Sequence, residues 1–578
     1  MRLAQNHTAE CRVVIAETHN EAVRYAADEL ARCLFKMCGA SFPIASDLLA
    51  LRQNDILLGE NRHTEALGLT ARIEALPKEG FFYCTKEDHL VIGGKGRGLL
   101  YGVYAFLEDV LGCRFFTPEI THIPQRCCIE LPALDHTEAP VMEYREPYLT
   151  ECKNPDFSAR RRVNGQSVPF LKKHGGGIKY ADGFFVHTFT KLLPPEKYFD
   201  EHPEYFAEVD GARLREKTQL CLSNPEVLEL VTARVLDELR KQPDAGIFSV
   251  SQDDNYNGCT CERCRAINEA EGSMSGAVIR FVNDVAKAVE KEFPDVTIDT
   301  LAYQYTRKPP KLTRPRQNVS VRLCTIECCF VHPLRDCRHD DPDAPNVDLA
   351  QPFADDLIGW GKICDRLYVW DYVTNFSHYW MPHPNFHVLA DNVRFFAENG
   401  VKGVFEQGCP ADGGGELTGL RAYLLSKCLW NPDIDENVIT DEYLYGVYQE
   451  SGAYIKAYME EVYRAVMDAG SHLYCFNHPD KPWHTMALVK RCEALFDKAE
   501  SVAPDETVLN RVQKERMAVR YLRILLTEKG SAERNVLLDS FERDAKTFGM
   551  TQIWERNTID FCLRVLRGEE EPGYWWAN

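Results

Sequence analysis

Through the first 135 or so residues, short apolar runs closed by turn residues alternate with stretches whose apolar positions recur every three or four residues. Residues 11–16 (CRVVIA), 55–59 (DILLG), 80–84 (GFFYC) and 90–94 (LVIGG) predict strands. Residues 20–38 carry Ala22, Tyr25, Ala26, Leu30, Cys33, Leu34 and Met37 at helical spacing, with Gly39 as the stop. Residues 98–111 (GLLYGVYAFLEDVL) are apolar over a broad face and end at Gly112. Strands interleaved with helices in so short a span predict a small α/β domain, residues 1–138. The glycine-rich run Gly93-Gly94-Lys95-Gly96-Arg97-Gly98 lacks the order of a phosphate-binding loop and predicts a tight turn.

Beyond Glu143 the pattern changes to strand-like runs separated by long helical stretches. Eight runs stand out, at residues 144–150, 184–189, 219–223, 247–252, 298–304, 321–327, 367–373 and 401–407. Eight strand-then-helix units of about 30 residues each are the bulk of a (β/α)₈ barrel, so the expected fold class is α/β with this barrel over residues 139–432. From 433 to 578 helix follows helix, with Pro432, Pro482 and Pro504 as breaks, predicting an α-helical C-terminal domain. Residues 131–140 are the nearest thing to a linker, and no internal repeat is visible.

Composition narrows the partners. With a net charge of −20 the chain repels phosphate backbones and anionic membranes, which argues against a nucleic-acid or membrane partner. No segment reaches the 18 apolar residues of a membrane span, and residues 1–7 show no apolar run after the basic residue. The 22 cysteines are spread through a chain that has ample core-forming residues, so reduced thiols and a cytoplasmic location are expected. A homo-oligomer is compatible with the sequence but not specified by it.

Barrel enzymes carry their chemistry at strand C-termini. Four predicted strands end in acids there: Asp253 and Asp254 (SVSQDDN), Glu327 (TIE), Asp371 (WDY) and Glu406 (FEQ). Cleaving a glycosidic bond needs one carboxylic acid to protonate the leaving oxygen and one carboxylate to activate water or attack. These residues are therefore the candidate catalytic set, with the choice of pair open. Tyr303, Trp370, Tyr372 and Trp380 supply flat rings suited to the apolar faces of a sugar, and His187, Asn375 and Asp253 could bond its hydroxyls. Just after Asp254, Cys259, Cys261 and Cys264 form a C-x-C-x₂-C cluster that can face one tetrahedral Zn²⁺. Cys324, Cys328, Cys329, His332 and Cys337 are the candidates for a fourth ligand. A structural zinc is expected, with no organic cofactor.

Residues 98–109 (GLLYGVYAFLED) and 112–116 (GCRFF) resemble the small α/β domain that precedes the barrel in family 20 hexosaminidases and family 67 α-glucuronidases. Residues 202–206 (HPEYF), 219–225 (QLCLSNP), 249–255 with the cysteines after them, and 370–372 (WDY) resemble an uncharacterised bacterial domain-of-unknown-function family related to those glycosidases. The resemblance implies a barrel glycosidase with an acid at the end of the fourth strand. Family 20 places an Asp-Glu pair there, whereas this chain has Asp253-Asp254, a departure that weighs against acetamido-assisted catalysis. The family 67 likeness implies Asp254 as acid, Glu327, Asp371 or Glu406 as base, and an inverting mechanism. The expected activity is hydrolysis of a terminal sugar from an oligosaccharide; for a uronic acid, Arg307 or Arg322 should meet its carboxylate. Two other classes fit the same features: a catalytically silent carbohydrate-binding protein and a zinc-dependent hydrolase.

Overall fold

In the computed structural model, which describes residues 1–337 and 352–572, the predicted N-terminal runs assemble into one sheet. Its strands are β1 (Val13–Ile15), β2 (Ile44–Ser46), β3 (Ile56–Leu58), β4 (Phe81–Lys86), β5 (His89–Gly94) and β6 (Asp135–Glu138), in the order β6-β4-β5-β3-β1-β2. Helix α1 (Glu21–Cys38) starts where the Asn20 side chain accepts from Val23 N–H and stops at Gly39, whose φ of 72° only glycine adopts freely. The glycine-rich run is a turn of close approach, since a Cβ on Gly98 would sit 2.1 Å from the carbonyl oxygen of Gly80.

Six parallel strands follow: β7 (Tyr144–Tyr148), β8 (Ile247–Ser249), β9 (Thr297–Ala302), β10 (Val319–Cys324), β11 (Leu367–Tyr372) and β12 (Val401–Gln407). Their order, β7-β12-β11-β10-β9-β8, makes one curled sheet. Two of the eight expected strands do not form. Residues 184–189 run beside the end of β8 without forming a ladder: Ser249 N–H donates to the Phe184 carbonyl, Thr188 and Phe189 N–H both donate to the Ser251 carbonyl, and Thr188 Oγ donates to that of Ser249. In residues 219–223 only Leu220 bridges, antiparallel to Phe206. The gap between β7 and β8 is instead spanned near Tyr180, which bridges Ile247 in parallel.

Side chains of alternate strand residues fill the interior of the curl. Arg322 is its hub: its guanidinium lies 5.1–6.0 Å from the ring centroids of Tyr144, Tyr180, Phe185, Tyr368, Trp370 and Phe405. Tyr180 Oη and Asp299, 3.7 Å away, meet its charge. This packed layer separates the opening at the strand C-termini from a second one at their N-terminal ends, lined by Glu143, Ile247, Thr297 and Tyr368.

Helices on the outside include α2 (Pro225–Lys241), α3 (Ser275–Val289), α4 (Phe386–Glu398) and α5 (Thr418–Trp430). After them come α6 (Glu436–Tyr448), α7 (Gly452–Asp468), α8 (Met486–Ser501), α9 (Glu506–Leu526), α10 (Ala532–Thr547) and α11 (Ile559–Arg567). One apolar core runs without interruption from the sheet's outer face into these last helices. The segment between α10 and α11 is laid back across the sheet: Tyr379 N–H donates to the Ile553 carbonyl at 2.8 Å, and Glu555 N–H to that of Phe376 at 3.0 Å. Among the described residues no helix is long and apolar enough to cross a membrane.

Candidate active site

A cavity of about 780 Å³ opens at the C-terminal ends of β7–β12. Its volume lies in the range of roughly 300–1,000 Å³ typical of small-molecule sites. Its floor and walls are aromatic, with Tyr148, Phe185, Tyr303, Trp370, Tyr372, Phe376, Tyr379, Phe405 and Phe476 among the lining residues. Polar groups are few: Gln166, Ser167, His187, Asp254, Gln304, Gln407, Gln552, Glu555 and Arg556.

Asp254 is brought to this wall because Gln219 clamps the loop after β8. The Gln219 carboxamide accepts from Asp253 N–H and donates to the carbonyls of Asp253 and Asn255. Tyr303, at the end of β9, donates its phenol O–H to Asp254 Oδ1 at 3.0 Å. His187 holds its ring by an Nδ1 bond to the Gln252 carbonyl at 2.9 Å, so Nδ1 carries a proton. Glu146, buried at the heart of β7, accepts from the N–H groups of Gln166 and Ser167 and fixes that rim loop.

The second cavity carboxylate is Glu555. It sits on the segment between α10 and α11, and its Oε1 meets Gln407 Nε2 at 3.5 Å, while Gln407 Oε1 accepts from Trp370 Nε1 at 2.9 Å. Burial pushes the Glu555 carboxyl above the usual glutamate range, opposed by the adjacent Arg556 charge. Arg556 is the only Arg or Lys among the described lining residues. His187, Gln304 and Arg556 all adopt left-handed backbone, with φ of 54°, 54° and 61°. Strain of this kind costs about 1–3 kcal/mol per residue and concentrates at functional sites; here all three residues face one cavity.

Of the expected site residues, Asp254, His187, Tyr303, Trp370 and Tyr372 line this cavity. The others do not. Strand side chains alternate between faces, so with Trp370, Tyr372, Phe405 and Gln407 turned inward, Asp371 and Glu406 point outward. Asp371 accepts from Thr325 Oγ at 2.6 Å and from Tyr372 N–H. Burial pushes it up to about 6, and burial together with Asp371 pushes Glu406 well above the ordinary range. Glu327 is buried beside Arg307 at 3.9 Å, its carboxyl raised by desolvation and lowered in part by that arginine. Asp253 caps the turn at Thr190, whose N–H it accepts at 3.0 Å. Asn375 donates to the Asn477 carbonyl and accepts from Ser377 N–H, and Trp380 is fully buried in the core. Neither expected arginine reaches the cavity: Arg307 is paired with Asp356 at 2.7 Å, and Arg322 is enclosed by its rings. Glu555 and Arg556 were missed because they lie in a segment without periodicity, about 150 residues beyond the last strand.

The cysteine cluster closes as a tetrad, and its fourth member is Cys221. The Sγ atoms of Cys221, Cys259, Cys261 and Cys264 lie within 4.8 Å of one another, with Cys221 at 3.7 Å from Cys261 and 3.9 Å from Cys264. Zn–S bonds of about 2.3 Å give tetrahedron edges of about 3.8 Å, so the donor set fits zinc. The tetrad is buried and is not part of the cavity wall. The Arg213 guanidinium lies 3.8 Å from Cys259 Sγ, placed to offset the charge of a four-thiolate zinc site.

Residues 115–460 match the family described as "Domain of unknown function (DUF4838)", and residues 2–106 match the glycosyl hydrolase family 67 N-terminus. No curated protein matches the sequence. Among solved structures, the chain resembles BtGH115A, a family 115 4-O-methyl-α-glucuronidase with specificity for decorated arabinogalactans. The TM-score is 0.59 at 13% identity, covering 98% of this chain and 80% of that one. A family 89 glycoside hydrolase from Clostridium perfringens gives a TM-score of 0.46 at 10% identity over 91% of this chain and 65% of that one. A β-N-acetylhexosaminidase from Bacteroides fragilis gives 0.40 at 11% identity over 79% and 92%. At 13% identity the likeness to BtGH115A speaks to the fold alone.

Proposed function

We propose that this chain, which belongs to the DUF4838 family and carries a family 67-type N-terminus, is a glycoside hydrolase that removes a terminal sugar from an oligosaccharide. The observation that carries the reading is the cavity itself: an aromatic pocket at the strand ends whose two lining carboxylates, among the described residues, are Asp254 and Glu555. Two carboxylates in different environments are what acid–base cleavage requires. Glu555, raised by burial, is the general acid that protonates the leaving oxygen. Asp254, steered by the Tyr303 phenol that donates to it, is the base or nucleophile. The role expected of Asp254 from the family 67 likeness is thus reversed. The closed floor beneath Arg322 limits the site to a chain end, and Arg556 favours a sugar bearing a carboxylate, a uronic acid, through a charge-assisted bond.

Zinc on the cysteine tetrad is structural in this reading. Four thiolates leave no open coordination position, and the metal would pin the loop that begins at Asp254.

The test is a screen of aryl glycosides and uronides against wild type, Asp254→Asn and Glu555→Gln. Wild type should turn over at least one of them. Asp254→Asn should lose about 10³-fold or more, and Glu555→Gln should retain activity only on substrates with good leaving groups. Wild-type turnover undiminished in both variants removes the assignment. Sugar binding without turnover in wild type makes the protein a silent carbohydrate binder instead.

A further inference from the structure

A second group of metal-binding side chains lies away from the tetrad. Cys329, His332, Cys337 and His472 each offer one donor atom, and all four atoms lie within 4.8 Å of one another. Cys329 Sγ is 3.3 Å from His332 Nδ1, and Cys337 Sγ is 3.8 Å from His472 Nδ1. With Zn–S of about 2.3 Å and Zn–N of about 2.0–2.1 Å, a tetrahedral Cys₂His₂ site has S···N edges of about 3.6 Å. The observed separations bracket that value. Both cysteines are buried, and the two imidazoles stand with ring centroids 4.8 Å apart.

We infer that these four residues bind a second zinc ion, one that fastens the loop after β10 to the loop after α7. Two thiolates and two neutral imidazoles cancel the charge of Zn²⁺, which suits a largely buried site better than any set leaving net charge there. Loading releases the two thiol protons to solvent. The two loops already touch: Phe330 N–H donates to the Leu473 carbonyl at 2.7 Å, and Cys475 Sγ reaches the Ile326 carbonyl at 3.5 Å. Each loop also supplies a cavity wall residue, Ile326 from one and Phe476 from the other. The ion is therefore a brace that holds two sides of the pocket together, and it stands independently of any catalytic assignment.

The experiment is metal analysis with X-ray absorption on the full chain purified with zinc and without chelator. Wild type should hold two zinc ions per chain, with an average shell of three sulfurs and one nitrogen. Cys329→Ser and His472→Ala should each hold one, with an all-sulfur shell. His472→Cys, which keeps four ligands and guards against simple misfolding, should hold two with a raised sulfur count. One zinc in an all-sulfur shell in wild type overturns the inference. So does a Cys329–Cys337 disulfide in the protein as isolated, or two zinc ions surviving in His472→Ala.

Discussion

Asp371 and Glu406 stand side by side in register on neighbouring strands β11 and β12, both turned from the cavity into the layer between sheet and helices. They titrate as a pair, because two carboxylates this close and this dry cannot both ionise cheaply. Burial raises both above their unfolded values, Asp371 to about 6. The folded chain thus holds protons that the unfolded chain gives up, and the stability this brings is full below about pH 4 and is lost as pH rises through about 6. Asp371→Asn should flatten that decline and stabilise the protein at pH 8 by about 1–3 kcal/mol, while turnover stays within about twofold. Thermal melts across pH 4–8 with parallel rates check both; a variant without turnover would place the pair back in catalysis.

Glu555 sets the alkaline limb. A general acid works only when protonated, so raising its carboxyl extends activity to higher pH than an ordinary glutamate allows. Arg556→Ala removes the charge that opposes the rise and should move the limb further up. Profiles of kcat/KM for wild type and Arg556→Ala read this directly; coincident limbs would argue against Glu555 as the acid.

The same arginine should read substrate charge. Arg556→Ala is expected to raise KM for a uronide by about 10–100-fold, the 1.4–2.8 kcal/mol of a charge-assisted bond, and to leave a neutral glycoside of the same linkage nearly unchanged. Equal losses on both would assign Arg556 to loop structure.

Tyr303→Phe deletes the phenol that bonds Asp254. A drop in kcat of about tenfold is expected, the ~1.4 kcal/mol at the upper end of the range for one hydrogen bond, with KM little altered. A change confined to KM would mean that the phenol binds sugar rather than steering the carboxylate.

Cys221→Ser breaks the tetrad at the member farthest in sequence from the others. Loss of one zinc should accompany loosening of the loop that starts at Asp254, read as faster proteolysis near residues 253–264 and a fall in activity. Full metal content in this variant would mean that Cys221 is not a ligand.

Apolar runs made six of the eight barrel strands legible, because burial on both faces writes a continuous hydrophobic signal. Residues 184–189 and 219–223 read as strands for the same reason, yet they meet their neighbours through scattered backbone bonds mixed with side-chain ones, Thr188 Oγ to the Ser249 carbonyl and Gln219 Nε2 to that of Asp253, in place of a continuous ladder. The acids at the strand ends were visible, but their facing was not weighed against the two-residue period: Trp370 and Asp371 cannot both point inward. Three cysteines announced a thiol cluster through local spacing, whereas Cys221 and His472 come from distant segments that only tertiary structure brings close. Glu555 gave no local sign at all.

Glu555 and Arg556, the proposed acid and charge reader, share one short crossing segment anchored to the sheet's loops by Tyr379 and Phe376, which separates two kinds of heritable change. The barrel supplies ring-stacking surface and one carboxylate. On the proposed function the crossing strap supplies protonation and charge preference, so exchanging a handful of residues near its middle should retarget the site to a different sugar without disturbing the architecture beneath it.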